Sequence, residues 1–486
     1  MYYCMTLVKL LTDRSDLMSA DPLMLASLEK VGGTELRDLR AKCLVLMRVD
    51  GDMSKFPGAQ PVSFERKHLT VPDNRQDASI LTAPYFAAEK TDGMRYMLLV
   101  LGAKGTFVVD RNFEMRRLPP MRFPRHTDPT KPLDETLLDG ELVIDTVSST
   151  GAKKRRRSED VNGDEEVSDE GDAPSATTTP RLRYLAYDAC CVGGRKCCGD
   201  PLHLRLLLLR RDVLGPRYAL SLKEPAAFAG EHFVLELKDF FAIKLLPSIF
   251  SQVKVAPPGS NILYAYNDPL RKLSHGNDGI IFTPARDPYL PYTCKTLLKW
   301  KPSNMNSIDF RLRRKWRKGE PRFLLLVADQ TVTFEYDWIT FSDEDHARFV
   351  RDSKADTRII ECVWDPNWTT IEYDPIDERE PSWDHPAARL GGWRFERIRE
   401  DKKHPNDIRT VKSVEVSVRD GVTAVELLGQ LGIRAAPGAL GAFAAGAEPA
   451  HGPAPVAPAN TRAAPAVGPT STTGEAGPAA PGGSTE

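Results

Sequence analysis

The sequence predicts an α+β fold spread over more than one domain, on three observations. Its 486 residues amount to two or three domains. From Tyr85 onward the apolar residues fall in short runs broken by glycines and Asp-Gly turns, the pattern of strands. Helical spacing is confined to a few segments, chiefly LMLASLEKVGGTELRDLRAKCL near the start and LHLRLLLLRRDV at 202–213.

Hydrophobic residues at 41% and charged residues at 27% are enough to bury a core and keep its surface in water. No stretch approaches the roughly 18 apolar residues of a membrane span, so no membrane partner is expected. A net charge of -1 leaves a nucleic-acid partner open, because a local basic groove can coexist with acidic surface elsewhere. The opening MYYCMTLVKLLTDRSD lacks the basic, apolar and small-residue order of a secretion signal. The eight cysteines are therefore expected as free thiols.

Taken in order, residues 1 to about 50 read as a helical lead-in interrupted at Gly32 and Gly33. Tyr96 to Val100 and Thr106 to Asp110 flank Gly102 and Gly105 as a hairpin. Leu137 to Ile144 and Arg183 to Tyr187 are further strands. The polar insert between them, 147–180, has too few large apolar residues to fold. Its basic run, Lys153 to Arg157, also reads as a nuclear-import signal. The helix at 202–213 is expected to stop at Gly215-Pro216. A β-rich stretch runs from Phe323 to Trp338. From about Ala435 the chain is mostly Ala, Pro, Gly, Ser and Thr, a low-complexity tail. Cys190, Cys191, Cys197 and Cys198 are spaced more widely than the usual zinc pairs and read as a reduced hairpin loop.

The sharpest chemical feature is Glu89-Lys90-Thr91-Asp92-Gly93-Met94-Arg95. By itself Asp92-Gly93 is an ordinary surface turn. It also places a lysine amine before a turn and a guanidinium after it, on one side of a pocket. An amine attacks phosphorus only when neutral, and neighbouring cations or a metal ion would depress the pKa of Lys90 to supply that form. Asp139-Gly140-Glu141 ends one expected strand and offers carboxylates. Tyr184 to Asp188 ends another, with Tyr187 able to stack on a base. Asp278-Gly279-Ile280-Ile281-Phe282 repeats the acid-glycine-strand pattern. Lys299 and Lys301 in Leu298-Lys299-Trp300-Lys301 share a strand face that could hold a phosphate. His275, just before the Asp278 motif, is read as structural.

Each motif alone is more often structural. In this order over about 210 residues they resemble the superfamily of capping enzymes and polynucleotide ligases. Several segments are similar specifically to the mRNA capping guanylyltransferases. These are Phe56-Pro57-Gly58-Ala59-Gln60-Pro61-Val62-Ser63, Val109-Asp110-Arg111-Asn112, Lys238-Asp239-Phe240-Phe241, the run from Leu297 to Phe310, and the box from Arg397 to Asn406. Glu396 before that box, and tyrosine at 187 where phenylalanine is frequent, depart from the family pattern without removing a charge.

The resemblance implies a nucleotidyltransferase domain of antiparallel sheets and helices at 40–308, after a lead-in at 1–39. An OB-fold domain follows at 309–411, then a helix at 412–434 packing back on the first domain, then a disordered tail at 435–486. It implies that Lys90 takes GMP from GTP as a lysyl-N-GMP and passes it to the diphosphate 5′ end of nascent RNA. Arg95 and Glu141 would hold the ribose, Tyr187 would stack on guanine and Lys238 would bond its O6. Glu89, Thr91 and Arg111 join the nucleotide site. Asp278 orients a lysine or the metal's water shell, and Lys299 and Lys301 stabilise the α-phosphate. Arg399 and Lys402 would meet the β- and γ-phosphates from the second domain, and Arg397 and Asp401 join the nucleotide-binding set. The implied cofactor is Mg²⁺ or Mn²⁺, with metal ligands unassigned. The implied partners are GTP, diphosphate-ended RNA, a separate RNA triphosphatase and the phosphorylated tail of RNA polymerase II, in the nucleus. The chain lacks HCxxxxxR and GxxxxGK[ST] loops, so no triphosphatase or kinase is expected within it. The alternatives are an ATP-dependent polynucleotide ligase and a non-catalytic module binding the phosphorylated polymerase tail.

Overall fold

The computed structural model describes residue 25 and residues 27–72, 78–147, 180–257, 260, 262–317, 319–330, 332–373, 386–400 and 402–444. The polar insert with Lys153 to Arg157, most of the low-complexity tail, and Asp401 lie outside the described residues.

The first domain opens with helix α1 (Gly33–Met47) and is built on strands β1 (Gln60–Ser63), β2 (Tyr85–Thr91), β3 (Met94–Val100), β4 (Thr106–Val109), β5 (Met115–Arg117), β6 (Thr136–Val147), β7 (Pro180–Val192), β8 (Arg195–Lys196), β9 (Val234–Leu237), β10 (Phe241–Ala242), β11 (Val253–Val255), β12 (Tyr264–Asp268), β13 (Leu273–Pro284) and β14 (Thr293–Trp300). Helices α2 (Leu202–Leu208), α3 (Gly215–Lys223) and α4 (Leu246–Phe250) lie among them. The expected hairpin at Gly102 and Gly105 is the antiparallel pair β3 and β4.

Strand alternation sets the layers. On β3, Met97 and Leu99 pack with α1, whereas Leu98 and Val100 face a second cluster with Leu208, Leu209 and Val213. α1 runs through residue 40, so this helix belongs to the first domain's core.

The structure corrects three sequence expectations here. The helix at 202–213 does not end at Gly215-Pro216. A π-type turn over Leu209–Leu214 leads into α3, whose first turn accepts Pro216 because no N–H partner is needed there. The motifs around Asp139, Tyr187 and Asp278 lie inside strands rather than at their ends, since β6, β7 and β13 pair with neighbours on both sides of each motif. The strands form two sheets that share β13. β13 pairs with β12 and β6 in its first half and with β2 and β14 in its second, shifting register between Asn277 and Ile280. Gly279, at φ 119° and with the Trp300 carbonyl where a Cβ would sit, makes that kink possible. Two pairs, β1 with β14 and β7 with β9, are parallel.

The second domain is a five-stranded antiparallel sheet of β15 (Ser307–Arg317), β16 (Glu320–Asp329), β17 (Val332–Ile339), β18 (Ile359–Glu372) and β19 (Ala387–Ile398), in the order β17-β16-β15-β18-β19. Helix α5 (Asp343–Arg351) sits between β17 and β18, with Phe349 buried in a core of Ile308, Phe310, Phe323 and Trp393. The β-rich reading of 323–338 is met by β16 and β17.

The expected single C-terminal helix is two. α6 (Ile408–Asp420) packs Val411 and Val414 on the second domain. α7 (Ala424–Gln430), capped by Thr423, packs Leu427 and Leu428 on the first. The tail is also folded for longer than its composition suggests. Phe443 is 8% exposed, with ring centroids 5.4, 5.3 and 5.4 Å from Phe250, Tyr264 and Trp300. A single large ring filling a gap suffices where an average over fifty residues predicts nothing.

Candidate active site

The kink in β13 brings β2, β3, β6, β7 and β14 around one cleft. Its lining includes Glu89, Lys90, Arg95, Arg111, Glu141, Tyr187 and Lys238 from the sequence-derived set. Gly93 lets β2 turn into β3 here, because a Cβ would lie 2.7 Å from the Leu142 carbonyl.

Lys90 Nζ donates to Asp278 Oδ2 at 2.6 Å, and Lys301 Nζ lies 3.2 Å from the same oxygen. Burial would depress the Lys90 ammonium, but Asp278 and Glu141 outweigh it and hold the pKa above its ordinary value. That corrects the expected depressed nucleophile. The lysine that is depressed is Lys299, brought to about 8 by burial and by the charges of Lys301, Lys90 and Arg111. Asp278 is held well below the usual carboxylate range, burial being outweighed by Lys301 and Lys90.

A second cluster lies at the floor. Lys238 Nζ donates to Glu89 Oε1 at 2.9 Å and to Thr91 Oγ1 at 3.0 Å, and Thr91 Oγ1 donates to Glu141. Arg95 is 7% exposed and forms a two-pronged pair with Asp139, Nε to Oδ1 at 3.0 Å and Nη2 to Oδ2 at 2.6 Å. Its Nη1 donates to the Ala59 carbonyl at 2.6 Å, so the guanidinium is committed to the wall. Tyr187 donates to Asp139 at 2.8 Å and leaves its ring against the cleft.

The second domain approaches from across the cleft. Arg397 pairs with Glu361 at 2.7 Å, and its charge acts on Asp92 beside Lys90. Arg399 is held by Asp309 at 2.9 Å and Glu361 at 3.4 Å. Lys402 is exposed. Arg399 and Lys402 are thus not among the residues that line the cleft.

Sequence reasoning gave Asp139 no role beyond the carboxylates of Asp139-Gly140-Glu141, and it passed over Tyr289 and Arg205. Asp139 is fully buried and joins Arg95, Tyr187 and Tyr289. Arg205 pairs with buried Asp188 at 2.6 Å and closes the far wall. A lone arginine on the apolar side of LHLRLLLLRR was the available signal for it. Tyr289 lies in a loop with no periodic signal. The four clustered cysteines are free thiols, Cys190 and Cys191 in β7 and Cys197 and Cys198 just after β8.

Two family models match consecutive parts of this chain, one on each domain. The mRNA capping enzyme catalytic domain covers residues 26–158 and 169–303, and the mRNA capping enzyme C-terminal domain covers 305–428. The chain belongs to the mRNA capping enzyme family. It is 29% identical to the mRNA-capping enzyme subunit alpha of Schizosaccharomyces pombe over 82% of this chain and 85% of that one. It is 26% identical to the subunit alpha of Saccharomyces cerevisiae over 81% and 82%. With the mRNA-capping enzyme of Danio rerio it shares 29% identity over 81% of this chain and 52% of that one. Among solved structures, a mycobacterial DNA ligase D complexed with ATP and MES has 14% identity over 71% of this chain and 96% of that one. Its TM-score of 0.28 is too low to carry an argument.

Proposed function

We propose that Lys90 is the nucleophile of an mRNA guanylyltransferase and carries GMP between two substrates. The observation that carries this is a lysine amine held at 2.6 Å by Asp278, beside two further lysines, over a floor of paired acid and base. Lys90 Nζ loses its proton, for which Asp278 is the acceptor in reach, and attacks the α-phosphorus of GTP. The bond to the pyrophosphate oxygen breaks and a lysyl-N-GMP remains. The diphosphate 5′ end of the RNA then attacks the same phosphorus, frees Lys90 and forms GpppN. Lys299 and Lys301 face the charge that grows on the α-phosphate oxygens in both steps. Tyr187 stacks on guanine, and Lys238 donates to its O6. Glu141 takes the ribose hydroxyls, because Arg95 is committed to Asp139 and holds the wall instead.

The family implies a divalent cation. Among the described residues no three His, Cys, Asp or Glu side chains converge as a metal cage. One or two carboxylates completed by substrate phosphates suit Mg²⁺ or Mn²⁺, and Asp278 and Glu141 are the carboxylates on offer. Such an ion would neutralise phosphate charge. Arg399 and Lys402 would reach the β- and γ-phosphates when the second domain closes. A separate RNA triphosphatase would supply the diphosphate end. The phosphorylated polymerase tail and a nuclear location complete the proposal.

Incubation with α-labelled GTP and Mg²⁺ or Mn²⁺ should label the protein covalently, and Lys90→Ala should abolish the label. Preferential labelling by ATP would turn the assignment to a polynucleotide ligase.

A further inference from the structure

The floor of the cleft is backed by a buried charge network that the reaction above does not use. His275 on β13 stands behind Glu89, with Nε2 3.2 Å from Glu89 Oε1 and Nδ1 2.9 Å from Asp145 Oδ1. His275 is 5% exposed and Asp145 is fully buried. Asp145 is fixed in turn by Arg183, Nε to Oδ2 at 2.8 Å and Nη2 to Oδ1 at 2.9 Å. Asn277 Nδ2 donates to the other Glu89 oxygen at 3.3 Å. Glu89 is therefore gripped from behind, while its front faces the cleft beside Lys238.

Counting hydrogen-bond capacity shows what the front can still do. An ionised carboxylate has about four acceptor positions. His275, Lys238 and Asn277 occupy three of those on Glu89, leaving one. Of the three protons on Lys238, Glu89 and Thr91 take two, leaving one donor. The floor thus presents one donor beside one acceptor. Guanine offers the complement, an O6 acceptor beside an N1–H donor. Adenine offers the reverse, an N6 amine beside a bare N1. Against adenine both contacts are mismatched, and unpaired buried polar groups are costly.

We infer that Glu89 reads the guanine N1–H beside Lys238 on O6, and that His275, braced by Asp145 and Arg183, is the positioning residue that keeps Glu89 an acceptor aimed at the base. Without His275 one acceptor position on Glu89 is freed and the carboxylate can turn. A turned carboxylate could accept from the adenine N6 amine, and a protonated one could donate to adenine N1. His275 makes no contact with the nucleotide in this scheme and takes no part in either transfer step. The inference rests on the proposed guanylyltransferase reading and adds the origin of its base selectivity.

The test compares α-labelled GTP, ITP and ATP as donors for covalent labelling of the full chain, in single turnover, for the unmodified protein, His275→Gln and His275→Leu. The quantity read is the ratio of kcat/KM values between nucleotides, which does not depend on the fraction of active protein. ITP keeps O6 and N1–H and lacks only the 2-amine, so the unmodified protein should use it within about tenfold of GTP. His275→Leu should lower the GTP-to-ATP ratio by about 10- to 100-fold, and His275→Gln, which retains one donor for Glu89, by less. An unchanged GTP-to-ATP ratio in both variants overturns the inference. So does strong rejection of ITP by the unmodified protein, which would place recognition on the 2-amine. If His275→Leu does not fold, the ratio in His275→Gln decides alone. Absence of GTP labelling in the unmodified protein would instead refute the guanylyltransferase proposal, so the two failures are distinct.

Discussion

Phe443 offers the most direct test of the packing. It is the last large side chain of the described fold, and it closes an aromatic cluster around Trp300, the residue between Lys299 and Lys301. Trp300 is fixed on its other side by donating Nε1 to the Val422 carbonyl at 2.8 Å. Ala442 is 6% exposed and Leu440 packs against the same cluster. Ending the chain after Ala435 removes all three, whereas ending it after Ala444 removes none. Truncating a buried Phe to Ala typically costs about 3–5 kcal/mol, from lost transfer energy and the cavity left behind. For a large domain that corresponds to a fall of roughly 6–20 °C in melting temperature. We expect the chain ending at Ala444 to melt with the full chain and to form lysyl-GMP normally. The chain ending at Ala435, and full-length Phe443→Ala, should melt lower by that amount and lose labelling activity on mild heating. Calorimetry on the four proteins decides. If the chain ending at Ala435 melts within about 1 °C of the chain ending at Ala444, the ring contributes nothing and the packing argument fails.

Three further outcomes are expected. Arg399→Ala and Lys402→Ala should slow lysyl-GMP formation by about 10²-fold and spare transfer from a preformed intermediate to diphosphate RNA, because pyrophosphate is present only in the first step. Single-turnover chase of isolated intermediate checks this, and a variant that forms the intermediate normally but cannot pass it on refutes it. Lys299, with its pKa lowered to about 8, is charged below that pH and neutral above, so phosphate stabilisation should fade as pH rises through about 8. Lys299→Arg keeps its charge and should carry lysyl-GMP formation to higher pH; an unchanged alkaline limb in the pH–rate profile tells against the role. His275 has its pKa raised from 6.5 to about 9, burial being outweighed by Glu89 and Asp145, with Tyr266 and Lys238 packed beside that cluster. Its protonated form therefore stabilises the fold fully below about 6.5 and loses that contribution as pH rises through about 9, a change of about 3 kcal/mol. Urea unfolding across that window should be steeper in pH for the unmodified protein than for His275→Gln, and parallel curves would count against a charged His275.

Local signals alone carried much of this protein. Period-two runs and Gly or Asp-Gly turns gave the strands and the β3–β4 hairpin, because a strand's exposed and buried faces are written in alternate residues. The Lys90, Asp278 and Lys299 to Lys301 motifs were legible because each is a short string with its chemistry inside it. Tertiary structure alone decided what those charges meet. Arg95 spends its guanidinium on Asp139, 44 residues away, and Lys238 finds Glu89 at a separation of 149. The pKa of Lys90 rises rather than falls because Asp278 arrives from a strand 188 residues on, and pairing distance sets which charge wins. Composition likewise labelled the chain beyond Ala435 as unfolded, yet Phe443 is ordered by Phe250, Tyr264 and Trp300. A buried ring is stabilised by whatever surrounds it in space, and no window along the sequence contains that surrounding.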